Sequence, residues 1–95
     1  MIIAATDIPE WVIDFLQKMI SLYGLDEFSI TAHWVLPDDP RYKEDSYAET
    51  IPSSPYLKAD FYFYSSDFYL EPSEEGYRTI EHEVLELFLD FKALS

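Results

Sequence analysis

Ninety-five residues allow one domain, and 48% hydrophobic with 18% aromatic content supplies enough core material that disorder from low hydrophobicity is excluded. Nineteen Asp and Glu against six Lys and Arg leave a formal charge of −13, a field that repels nucleic acid and anionic membrane and attracts cations or a basic protein surface. The absence of cysteine excludes a disulfide framework and any thiolate zinc site.

Met1–Ala5 is apolar but lacks a basic flank and is followed at once by Asp7, Pro9 and Glu10. It reads as neither signal peptide nor membrane span, so a soluble cytoplasmic protein is expected. Ile8, Val12, Phe15, Leu16, Met19, Ile20 and Tyr23 then recur at helical spacing. Asp7 with Glu10 predicts a capping box, with Pro9 in the first turn, and Gly24 predicts the C-terminal stop. From Phe28 to Leu36, Phe28, Ile30, Ala32, Trp34 and Leu36 alternate with mostly polar residues, the pattern of a half-buried strand.

Pro37 to Asp45 holds two prolines and dense charge, and predicts an exposed loop. Tyr47–Ile51 reads as a short strand and Pro52–Pro55 as a turn, before Leu57, Ala59, Phe61 and Phe63 line one face of a third strand. Tyr56, Tyr62 and Tyr64 fall on the opposite face, either covering the sheet or offering an aromatic surface to a partner. After a linker from Ser65 to Pro72, Ser73 predicts the cap of a final helix whose first turn carries Glu74 and Glu75. Tyr77, Ile80, Val84, Leu87, Phe88, Phe91 and Leu94 form its main apolar face, with Leu85 and Leu89 on the far side, which predicts cover on both sides.

The expected fold is therefore one α+β domain over residues 1–95, with an N-terminal helix, a three-stranded, mainly antiparallel meander sheet and a C-terminal helix. Its expected core joins Trp34, Phe61, Phe63, Ile80, Val84, Leu87 and Phe88 to Phe15 and Met19.

The last helix contains His82-Glu83-Val84-Leu85-Glu86, which matches the zinc-protease pattern H-E-x-x-H at all but its final position. That pattern sets two imidazoles one helical turn apart to hold zinc, while the glutamate polarises the attacking water. The element order and this motif resemble small zincin-like metallopeptidase domains of the kind common in phages and mobile elements. The resemblance implies His82 as first zinc ligand, Glu83 as general base and Glu86 in the place of the second histidine. A carboxylate is a competent zinc ligand, but the third ligand that zincins supply after the motif helix has no counterpart in Leu87–Ser95. His33, the other histidine, completes a site only if its strand face meets the helix. A solvated polar helix face is the competing reading of His82.

Two glycines cannot form a phosphate-cradling loop, and no serine sits in a nucleophile-elbow context. The leading expectation is a catalytically degenerate zincin-like protein, without cofactor, that acts by occupying a basic and nucleic-acid-handling protein surface, as a phage-type inhibitor would. Expected contact residues are Asp38, Asp39, Glu44 and Asp45 in the loop, and Glu71, Glu74 and Glu75 at the entry to the last helix. The alternatives are a minimal zinc metallopeptidase using His82, Glu83 and Glu86, and a phage structural or assembly protein that dimerises through its aromatic sheet face.

Overall fold

A computed structural model describes residues 2–53 and 57–94. Strand β1 (Ile2–Ala4), helix α1 (Glu10–Leu22), strands β2 (Ser29–Val35), β3 (Ala48–Ser53) and β4 (Lys58–Tyr64), a 3₁₀ turn (Asp67–Tyr69) and helix α2 (Glu74–Leu94) follow in chain order. The strands form one sheet in the order β1-β2-β4-β3. β2 pairs in parallel with both β1 and β4, and only the β3–β4 pair is antiparallel.

This mixed sheet overturns the expected three-stranded meander, for two reasons. The apolar Ile2-Ile3-Ala4 segment is a strand, set beside β2 by the βαβ unit that α1 completes. β4 has also inserted between β2 and β3. It holds more buried residues than any other strand, with Ala59, Phe61 and Phe63 under the helices and Tyr64 on the other face, and the sheet centre is where such a strand is covered. β3 carries Pro52, which suits an edge. Tyr64 N–H donates to the Tyr47 carbonyl, so the alternate positions Ala48, Thr50 and Pro52 turn their backbone groups outward, and the missing Pro52 N–H removes no ladder bond.

Both helices cover one sheet face. Ile30 and Ala32 of β2 and Ala59, Phe61 and Phe63 of β4 pack there against Val12, Leu16, Met19 and Ile20 of α1 and Ile80, Val84 and Leu87 of α2. Trp34, Phe15 and Phe88, expected in the core, are half-buried at its margin. The helices run side by side in the same sense: Tyr77 meets Trp11 and Phe15 near the two starts, with centroids 5.3 and 4.6 Å apart, and Phe88 meets Tyr23 near the ends. Close approach at the start depends on Gly76, where a Cβ would lie 2.5 Å from the Trp11 ring.

Local signals explain the helix boundaries in part. α1 ends in a Schellman arrangement, with Gly24 at φ +70°, Gly24 N–H donating to Ser21 and Leu25 N–H to Ile20. Its start differs from expectation. Pro9 takes the cap position with extended ψ of 136°, no side chain caps the helix, and the Asp7–Glu10 box does not form. Ser73 does cap α2, its Oγ accepting from Gly76 N–H at 3.1 Å. The second apolar side of α2 is uncovered, with Leu85 37% and Leu89 56% exposed. Pro52 and Ser53, expected in the turn, instead end β3; Ser54 and Pro55 of that turn, Tyr56 of the expected outer strand face, and the side chain of Leu94 lie outside the described residues. Among the described residues no helix is long and apolar enough to cross a membrane.

The segment read as a linker contributes the largest fully buried side chain, Tyr69. Its hydroxyl donates to the Tyr47 carbonyl at 2.8 Å, its own carbonyl accepts from Trp11 Nε1 at 2.8 Å, and its ring contacts Trp34, Phe63 and Phe68. Burial pushes its phenol far above the ordinary value, with the Glu83 charge adding to the rise, so it stays a neutral donor. Truncation of Tyr69 to Ala is expected to cost about 3–5 kcal/mol. Tyr69→Phe is expected to cost about 1 kcal/mol, because the Tyr47 carbonyl still accepts from Tyr64 N–H. Urea unfolding of the two variants checks this order, and equal losses would show that the hydroxyl, not the ring, carries the contribution.

Candidate functional site

α2 places His82, Glu83 and Glu86 over the outer edge of the sheet, and the helical period separates their fates. Ile80, Glu83 and Leu87 lie three and four residues apart, so Glu83 shares the inward side and is 6% exposed. Its Oε1 accepts from Thr50 Oγ1 at 2.8 Å, which joins α2 to β3. Burial raises the Glu83 carboxyl above the ordinary carboxylate range, the Thr50 hydrogen bond opposes that rise, and the nearby Glu86 charge adds to it. His82 and Glu86 point to solvent one turn apart, with Nε2 and Oε1 3.1 Å from each other. A shallow groove beside them is lined by Ser46, Tyr47 and Ala48 from the β3 side and by Arg78, His82 and Glu83 from α2.

Ligand atoms of His82, Glu83 and Glu86 come within 4.8 Å of one another, and one imidazole with two carboxylates is a donor set that zinc accepts. All three sit on one helical turn, and Glu83 already has a fixed partner in Thr50. His33 does not join them. Ala32 faces the helices, so its neighbour His33 faces the other side of the sheet, where Nε2 lies 2.8 Å from Asp60 Oδ1 and the ring stacks on Tyr62 at 4.4 Å. Sequence reading missed both this pair and Thr50. The β2–β4 register sets His33 opposite Tyr62, and the β3–β4 register sets Thr50 opposite the core residue Phe61, but neither pairing is readable before strand order is known.

The two acidic clusters are separate. Asp38, Glu44 and Asp45 are exposed in the 36–47 loop, whereas Asp39 is tied to Arg41, whose backbone N–H and Nη2 donate to it at 2.8 and 2.9 Å. These hydrogen bonds hold the Asp39 carboxyl down at about 2. Lys43 pairs with Glu49 at 2.7 Å, so the loop region carries its own countercharge. Glu71, Glu74 and Glu75 are exposed at the other site, with Glu74 2.6 Å from Arg78.

Charge is therefore uneven. Residues 7–27 and 67–94, the helices and their bordering segments, hold thirteen of the nineteen acids and three of the six bases, a net −10. Residues 28–66, which hold β2 to β4, carry six acids and three bases, a net −3. Comparison with known proteins gives no match to a family model, a curated protein or a solved structure.

A carboxyl whose folded pKa is raised stays protonated in the folded state after the unfolded chain has ionised. Its contribution to stability is thus fully present below the ordinary value of 4.5 and declines as pH rises from there through the folded value. Glu83→Gln keeps an acceptor for Thr50 and removes this dependence. The variant is expected to exceed the parent in urea midpoint at neutral pH, with the gap closing on acidification toward the ordinary Glu value. A gap that widens in acid would reverse the sign assigned to Glu83.

Proposed function

We propose that this chain is a small acidic binding protein, built on a zincin-like motif helix without peptidase chemistry, that occupies a basic surface on a protein partner. The observation that carries the reading is the net −10 concentrated on the helix layer and its borders. Such a surface steers association with a basic patch of the kind that holds phosphates, and it repels nucleic acid itself. An inhibitor that competes with nucleic acid for its partner fits this chemistry, as does a cytoplasmic setting, or the host cytoplasm for a phage-encoded chain. The burial of Glu83 against Thr50 supports the loss of a general base at that position.

Pull-down with the tagged protein tests this. Nucleic-acid-binding proteins are expected to be captured at low salt, to be displaced by duplex DNA, and to lose at least about tenfold in affinity between roughly 0.05 and 0.5 M salt, because screening shortens to a few ångströms. Capture that is indifferent to both salt and DNA would defeat the proposal. Charge reversal at Asp38, Glu44 and Asp45, set against reversal at Glu71, Glu74 and Glu75, tells which cluster contributes.

The approach of His82, Glu83 and Glu86 within 4.8 Å favours a second reading, a minimal zinc metallopeptidase. Under the leading reading, the purified protein is expected to hold far less than one zinc per chain, and His82→Ala is expected to leave the melting temperature unchanged. Elemental analysis near one zinc per chain, abolished by that substitution, would favour the peptidase.

A further inference from the structure

The outer side of α2 is built like one half of a helix pair. Spacings of four, three and four residues put Arg78, His82, Leu85 and Leu89 on one line directly away from the core. All four are exposed, the two leucines at 37% and 56%. Glu74 and Glu81 flank the line on one side, and Glu75 and Glu86 on the other. Beside Leu85, a shallow depression bounded by Pro72, Tyr77, Glu81 and His82 offers a hole of the kind that a partner's side chain fills.

The two leucines continue a line begun by Arg78 and His82; Arg78 pairs with Glu74, and Lys92 lies one turn beyond Leu89, yet Glu75, Glu81 and Glu86 keep the face net acidic, so charge selects its occupant. A second copy of this chain would set the same glutamates against each other, on top of a net −13 per chain. A neutral apolar helix would leave the flanking carboxylates unmatched. A helix whose apolar stripe is bordered by Lys or Arg satisfies both parts.

We infer that the outer face of α2, centred on Leu85 and Leu89, is a docking site for a basic amphipathic helix of a partner protein. The inference rests on the proposed binding function and names the surface and the partner's secondary structure. It moves the contact away from the 36–47 loop to the outer face of α2. His82 and Glu86 then belong to the docking face, not to a metal centre.

The probe is a synthetic helical peptide with leucines at i, i+3, i+4 and i+7 flanked by lysines, compared with a scrambled peptide of the same composition. Binding is read by fluorescence anisotropy at low salt. The ordered peptide is expected to bind the parent at least about tenfold more tightly than the scrambled one, and the double variant Leu85→Ala, Leu89→Ala to lose about tenfold, because the apolar area of two leucine side chains no longer leaves water on docking. Leu22→Ala with Leu70→Ala, which removes two other leucines exposed at 71% and 70%, is expected to bind as the parent does. Amide shifts on titration are expected to cluster on the outer side of α2.

Equal binding of both peptides, or an unaffected Leu85/Leu89 variant, overturns the inference. Thermal melts show that each variant is folded, which the exposed positions favour. The two proposals fail separately. Salt- and DNA-sensitive capture that survives the Leu85/Leu89 change leaves the binding function standing and removes this surface. Absence of such capture by the parent removes the function whatever the peptide does, and capture lost only in the variant supports this surface.

Discussion

Tyr69 joins the first helix, two strands of the sheet and the approach to a third at one buried side chain. Its hydroxyl reaches the residue before β3, its carbonyl receives the indole of Trp11 from the first turn of α1, and its ring lies against Phe63 of β4 and Trp34 of β2. Both polar ends are satisfied while the ring has no exposed surface, so the group gains the burial of a large aromatic without leaving an unpaired donor. Phe68 beside it meets Tyr47 edge to face, and Ser73 donates from the cap of α2 to the Phe68 carbonyl. The turn thereby sets where α2 begins, and with it the depth at which every later residue of that helix sits.

That depth explains the division within the motif. Fixed at Ser73 and pressed on β4 through Ile80, Val84 and Leu87, α2 has no freedom to rotate Glu83 outward. The carboxyl is turned into the junction with β3 and finds Thr50, while His82 and Glu86 remain in water. A buried, hydrogen-bonded glutamate in this position joins helix to sheet, and its protonation state becomes part of the stability of the fold. The proposed docking face is the other product of the same constraint, since the side chains opposite the buried stripe have nowhere to go but outward.

Alternation and helical period made the two helices, β2 and the inward face of β4 readable, because each of these carries its signal in local spacing. Strand order was less accessible. Pro52 read as the start of a turn, though it lies in the edge strand β3, and a meander is the simpler expectation when strands follow closely in sequence. β1 was hidden by its three residues, and Tyr69 by a 3₁₀ turn too short to show a period. Burial of Glu83 was legible from its spacing to Ile80 and Leu87, but the motif drew attention to its chemistry before its position. Cover on Leu85 and Leu89 was expected from the two-sided apolar pattern, and among the described residues nothing supplies it.

An open sheet has two edges, and here neither suits the growth of a fibre. The β1 edge runs for three residues, too few to template a long ladder. At the β3 edge, Pro52 supplies no donor, and the outward carbonyl of Ala48 already accepts from Ser46 Oγ at 3.2 Å. A strand arriving from another molecule finds donors only at Ala48 and Thr50, and it approaches against a strong like charge. Strand addition is thereby disfavoured along the described edges, so the exposed Ile3, Tyr47 and Ile51 lie beside strands that offer a newcomer few ladder partners.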